Sequence, residues 1–182
     1  MTSTATIKRR NAGKTKASIL AAAFDAFSSQ GYANTGIRDI ANTVGVSSSL
    51  IGRYFGNKAK LFEEAFVYGI VNHSDFFQDK QDFGVRMANL IASDTNPQLA
   101  VMMVLAMADP ESKQIVQAES ARHIVEPLAE WLGAPHAKSR AFNMLMLLNG
   151  FAVQSLYLSQ QQTSPESIAW LAKSLQDIVD NR

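Results

Sequence analysis

Residues 36–55 read GIRDIANTVGVSSSLIGRYF, and their spacing decides the fold. Ile37, Ile40, Ala41 and Val44 recur at three and four residues, as on one face of a short helix. Leu50, Ile51, Tyr54 and Phe55 repeat the pattern on a second. Between them, Val44-Gly45-Val46-Ser47 leaves three to four residues for a reversal. Gly45 supplies the positive φ that a sharp turn needs, and Ser47 can cap the second helix through its hydroxyl. Two short helices joined in this way are the pattern of a helix-turn-helix. Ala41 is small enough to let the helices cross closely, and Val46, Ile51 and Phe55 would anchor the second helix to the first. The opposite side of that second helix carries Ser48, Ser49, Gly52, Arg53 and Tyr54. A helix entering the major groove of DNA needs such small side chains for close approach and donors for bases and phosphates. A helical hairpin without a ligand has no need of them.

Upstream, Leu20, Ala23, Phe24 and Phe27 form one amphipathic stripe, and Gly31 ends it. Thr35 is placed to cap the helix that follows, with Asp39 in its first turn. Downstream, Asn57 is placed to cap a fourth helix running from Lys58 through Leu61, Phe62, Ala65, Phe66 and Ile70. Beyond residue 78, breaks at Gln78–Asp82, Asp94–Pro97, Asp109–Ser112, Gly133–Pro135 and Gln160–Pro165 separate five longer helical patterns. These predict helices over about 83–93, 98–108, 112–132, 136–159 and 165–180. Pro127 should kink or split the helix it lies in. No stretch alternates like a strand and no segment repeats. The chain is read as all-α, with residues 1–15 as a basic flexible arm, 16–57 as the helix-turn-helix head and 58–182 as a helical body.

Charge divides along the same line. Residues 1–60 hold nine Lys and Arg against two Asp, a balance of +7, and residues 61–182 hold eight against fourteen Asp and Glu, a balance of −6. A basic head and an acidic body suit a polyanion met by the head alone. The 182 residues are 47% hydrophobic and contain no cysteine, which excludes disulfides, thiolate zinc sites and cysteine nucleophiles. The basic start has no apolar run of the secretory kind. The longest uncharged stretch, Ala141–Pro165, is broken by Asn143, Asn149, Gly150 and Gln154, so no membrane span is expected. His73, His123 and His136 have no second ligand at metal-binding spacing, and no phosphate loop, nucleophile elbow or zinc-protease motif is present. Neither an enzyme, a cofactor nor a metal is expected.

The stretch Ile19–Phe62 resembles the DNA-binding domain of TetR-type (TetR/AcrR) transcriptional regulators. The matching residues are Ile19-Leu20, Ala22-Ala23, Phe27, Gly31-Tyr32, Thr35, Ile40-Ala41, Gly45-Val46-Ser47, Tyr54-Phe55, Asn57-Lys58 and Leu61-Phe62. The resemblance implies a three-helix head with Ser47–Phe55 as recognition helix, and a body that dimerises and binds a small molecule. Carried over by position, Ser48, Ser49 and Leu50 would face base edges, and Thr35, Arg53, Tyr54 and Lys58 would hold phosphates. Arg38, Ser47 and Gly52 complete the expected DNA-binding set. Such regulators usually carry an aromatic, most often tyrosine, where this chain has Gly52, so one backbone contact is missing. Leu50 can serve a thymine methyl or the packing of the head.

In the body, six methionines lie among apolar helices, as plain core or as an adaptable pocket lining. Phe66, Met87, Met103, Met107 and His123 are the expected pocket, because their helices should surround the centre. The helix 138–159 is apolar nearly all round, so it is buried in its own chain or paired across an interface. With the stripe Ile168–Val179 and the family resemblance, it points to a homodimer through a four-helix interface. The residues expected there are Leu148, Leu156, Ile168, Leu171, Leu175 and Ile178. The expected function is a cytoplasmic dimeric regulator, a repressor released from a palindromic DNA operator by a small apolar or amphipathic ligand. Two other readings stay open: a DNA-binding factor without inducer, and a small-molecule binder with a weakened head.

Overall fold

The structure, a computed structural model, describes residues 3–72, 79–92, 98–159 and 163–182, with the side chains of 3–11, 156 and 157 set aside. The expected break Asp94–Pro97 and the side chain of Leu156 therefore lie outside the described residues. Ten α-helices follow one another among them: α1 Ser3–Asn34, α2 Ile37–Val44, α3 Ser48–Phe55, α4 Lys58–Asn72, α5 Phe83–Ala92, α6 Gln98–Ala106, α7 Pro110–Ser120, α8 Glu126–Leu132, α9 Ala137–Val153 and α10 Pro165–Asp180. No strand occurs in these residues, and none of their helices is long and apolar enough to cross a membrane.

Two compact units result. The first holds Met1–Asn72 and Met102–Gln117, the second His73–Val101 and Ala118–Arg182. The packing units do not divide at the boundary expected at 57/58: α4 and the segment 102–117 join the helix-turn-helix. Where an arm is expected through residue 15, the backbone is helical from Ser3.

In the first unit α1 lies along α4. Gly69 makes that approach possible, since a Cβ there would run into the ring of Phe24. The core is aromatic: Phe27 and Phe62 meet edge to face at 5.0 Å, Tyr32 and Phe62 at 5.1 Å. Gly31 breaks α1 with φ 77°, as expected of it. Thr35 does not cap α2. The residue in that place is Gly36, and Thr35 is 2% exposed, its hydroxyl donating to the carbonyls of Gly31 (2.8 Å) and Ala26 (3.2 Å). The break at Gly31 leaves helix-end carbonyls open, and the nearest hydroxyl turns inward to serve them.

In the second unit α5 packs on α10. A Cβ on Gly84 would meet the Ala172 carbonyl, and the Gly84 N–H donates to Gln176 Oε1 at 3.1 Å. Phe83, Met87, Leu128, Leu132, Met144, Leu148, Leu171 and Leu175 form the core. Pro127 splits its helix, and the split is a π turn over Ala121–Val125, where the Glu126 N–H reaches back to the Ala121 carbonyl. Widening the turn just ahead of a proline absorbs the hydrogen bond the ring cannot make. Arg140 is buried. Its guanidinium donates to Ile178 (2.8 Å), Val179 (2.7 Å), Gly133 (3.0 Å) and Pro135 (3.3 Å), all backbone carbonyls. One cation thus closes the C-terminal ends of α8 and α10, where helix dipoles favour positive charge.

Candidate nucleic-acid interface

The α2–α3 turn is built from local bonds. Gly45 takes φ 72° and ψ 35°, and the Val46 N–H donates to the Ala41 carbonyl at 2.9 Å, closing α2 in a six-to-one bond. Ser47 Oγ accepts the Leu50 N–H at 3.2 Å and caps α3, as its position predicts. Ile51 and Phe55 are buried and fix α3 on its inner side, while Ser47, Ser49 and Arg53 are exposed. Ser48, Leu50, Gly52 and Tyr54 are half-exposed. The result is a short, capped helix offering hydroxyls and a guanidinium outward.

Gly52 has no internal reason to be glycine: a Cβ there would meet nothing within 4 Å. Asn57 Oδ1 accepts the Lys60 N–H at 2.8 Å and caps α4, as expected. Of the head's cations, Lys16 is engaged with Glu64 (2.6 Å) and lies over the Phe55 ring, and Lys60 with Glu63 (2.5 Å). Arg38, Arg53 and Lys58 have no carboxylate partner among the described residues, and Arg38 and Arg53 are exposed. Thr35 differs from its expected role, because its buried hydroxyl is committed to two carbonyls and cannot reach a phosphate.

Lys58 is held in a way the sequence does not announce. Its Nζ lies 4.5 Å from the centroid of the Tyr32 ring and donates to the Ala33 carbonyl at 3.4 Å. The Tyr32 hydroxyl donates to Glu111 Oε2 at 2.5 Å. Burial first, and then that hydrogen bond, push the phenol well above its ordinary range. The pair joins residues 79 positions apart, which no local pattern can reveal.

Two sequence profiles match the chain. That of bacterial regulatory proteins of the tetR family covers residues 19–65, and that of the tetracyclin repressor-like C-terminal domain covers 81–179, over half of the chain. The chain belongs to the tetR family. Solved structures share this tetR-family fold. One described as a TetR-family transcriptional regulator from Rhodococcus sp. is 17% identical with a TM-score of 0.72, over 92% of this chain and 99% of that one. Another, described as a transcriptional regulator from Saccharomonospora viridis in complex with choline, is 18% identical with a TM-score of 0.66, over 93% and 97%. The multidrug binding protein EbrR complexed with proflavin is 16% identical with a TM-score of 0.58, over 90% and 99%. No curated protein matches.

The residues expected to line a pocket are divided between the two units. Met107 is 64% exposed, so it lines no interior. Phe66 is buried on α4 in the first unit and Met87 in the core of the second. Met103 is half-buried in the first unit, and His123 stands in the π turn with its Nε2 3.2 Å from Glu119 Oε2. Of the expected dimer residues, three are already covered within the chain itself. Leu148, Leu171 and Leu175 are buried in their own protomer, and Ile168 and Ile178 pack partly against the same core. Their stripe faces the neighbouring helices because Gly84 lets α5 approach α10 so closely. On these two helices the large apolar side chains left outside are Phe142 (66% exposed) and Met146 (57%) on α9, and Trp170 (57%) on α10.

Proposed function

We propose that the chain is a cytoplasmic, homodimeric DNA-binding regulator, a repressor that a small apolar or amphipathic molecule releases from a palindromic operator. The observation that carries it is the outer face of α3: Ser48, Ser49 and Arg53 on a helix fixed from behind by Ile51 and Phe55. Ser48, Ser49 and Leu50 read bases; Arg38, Arg53, Tyr54 and Lys58 hold phosphates. Gly52, open on its outer side, lets the α3 backbone approach the duplex closely. Phe142, Met146 and Trp170 pair the protomers, since large exposed apolar side chains mark an interaction surface. Ligand release is supported by the relatives of the same fold that hold choline and proflavin.

A second reading, the same DNA-binding dimer without an inducer, is favoured by the packing of Phe66, Met87 and Met144, all buried. Reciprocity separates the two. An inducer that weakens operator affinity must be weakened by operator to the same factor, about 5- to 150-fold for such switches. Selecting bound duplexes from a random pool supplies the operator. Titrating candidate small molecules with and without it then decides, equal ligand affinity in both conditions leaving the constitutive reading ahead.

A further inference from the structure

Residues 102–117 lie within the stretch matched by the C-terminal profile, yet they pack with the helix-turn-helix in the first unit. Two of their side chains reach the end of α1. Leu105 backs onto Gly31, and Glu111 accepts the Tyr32 hydroxyl at 2.5 Å. The Tyr32 ring in turn carries the Lys58 ammonium at 4.5 Å, and Phe62 meets it edge-on at 5.1 Å. A carboxylate, a phenol and an ammonium are therefore linked by successive contacts, from the segment 102–117 to the first residue of α4.

Each link strengthens the next. A phenol that donates to a carboxylate has a more electron-rich ring, which attracts a cation more strongly. A lysine held over such a ring has already given up much of its rotamer freedom. Otherwise that freedom is surrendered only when a phosphate arrives, at the expense of affinity. Lys58 is also held by the Ala33 carbonyl, so its ammonium is fixed between the end of α1 and the start of α4.

We propose that Tyr32 is a positioning residue for DNA binding, holding Lys58 for a phosphate, and that Glu111 sets Tyr32, so that the segment 102–117 tunes the head's grip. The inference rests on the reading of the head as DNA-binding. It assigns a route by which any rearrangement of that segment changes the hold on the DNA backbone without touching α3.

The test uses the full chain and a mixed-sequence duplex of about 30 base pairs, long enough for two half-sites, with affinity read by fluorescence anisotropy at low salt. Tyr32→Phe keeps the buried ring and removes the hydroxyl; Glu111→Gln keeps the shape and removes the charge. Each is expected to weaken binding about two- to fivefold, the scale of one weakened cation–π interaction. In a Lys58→Ala background neither should weaken it further, because the residue they act through is gone. Equal weakening in both backgrounds would overturn the positioning role and leave Tyr32 a plain core residue. An unsubstituted chain that fails to bind duplex at low salt would overturn the DNA-binding reading itself, and the proposal with it.

Discussion

The surface of α3 and the outer side of α9 and α10 expose opposite chemistry. Around α3 the exposed side chains are hydroxyls and a guanidinium on a helix only eight residues long, held by one glycine turn and one serine cap. On α9 and α10 the inward stripe of Leu148, Leu171 and Leu175 is complete within the protomer, and what remains outside is Phe142, Met146 and Trp170. A wet, charged partner fits the first surface, and an apolar partner of similar shape fits the second. The difference teaches that stripe and interface are separate features on α10. Its most periodic leucines hold the protomer together, and its bulkiest exposed residue, Trp170, faces away from them.

Substitutions that sort inner from outer residues can break that distinction. Leu175→Asp buries a charge in a full core and should cost more than about 4 kcal/mol, unfolding the second unit rather than splitting a dimer. Urea denaturation followed by circular dichroism measures it; a folded monomer would return Leu175 to the interface. Arg140→Ala removes the donor shared by four carbonyls and should cost about 3 kcal/mol, within the range for charge-assisted bonds removed together. A change within about 0.5 kcal/mol, the range of ordinary surface substitutions, would deny Arg140 that role. Phe142→Asp should leave the protomer's melting intact, yield a monomer in sedimentation, and weaken operator binding about a hundredfold by uncoupling two heads. A dimer that survives it moves the interface elsewhere.

A gentler change sharpens the comparison at α3. Gly52→Ala fills open space on a helix and should stabilise the first unit by about 1 kcal/mol. If the α3 backbone lies close to DNA, the same change should lower DNA affinity while raising the melting temperature. Stabilisation with unchanged affinity would remove close approach as the reason for glycine.

What was legible in the sequence follows from the range of the interactions. The Gly45 turn, the Ser47 and Asn57 caps, the Gly31 break and the Pro127 split were all readable, because each is settled within five residues along the chain. Thr35 was misplaced by one position because two groups compete for its hydroxyl, and the carbonyls behind it outweigh the amides ahead. Tyr32 with Glu111, and Arg140 with Ile178 and Val179, join distant positions and leave no periodic trace. Leu171 and Leu175 were expected at the dimer interface, but a stripe says only that a helix is covered. It does not say by which chain, and here α5 covers it.

The central claim, that the basic head grips duplex DNA through its phosphates, is tested most directly by the salt dependence of binding. Affinity of the full chain for its selected operator should fall steeply between 50 and 200 mM salt, by about 10³-fold or more for a dimer that neutralises six or more phosphates. Lys58→Ala should lower the log–log slope by about one for each phosphate it no longer neutralises. The result expected is a steep line for the unsubstituted chain and a shallower one for the variant. A flat line, or no binding at the lowest salt, would contradict the account.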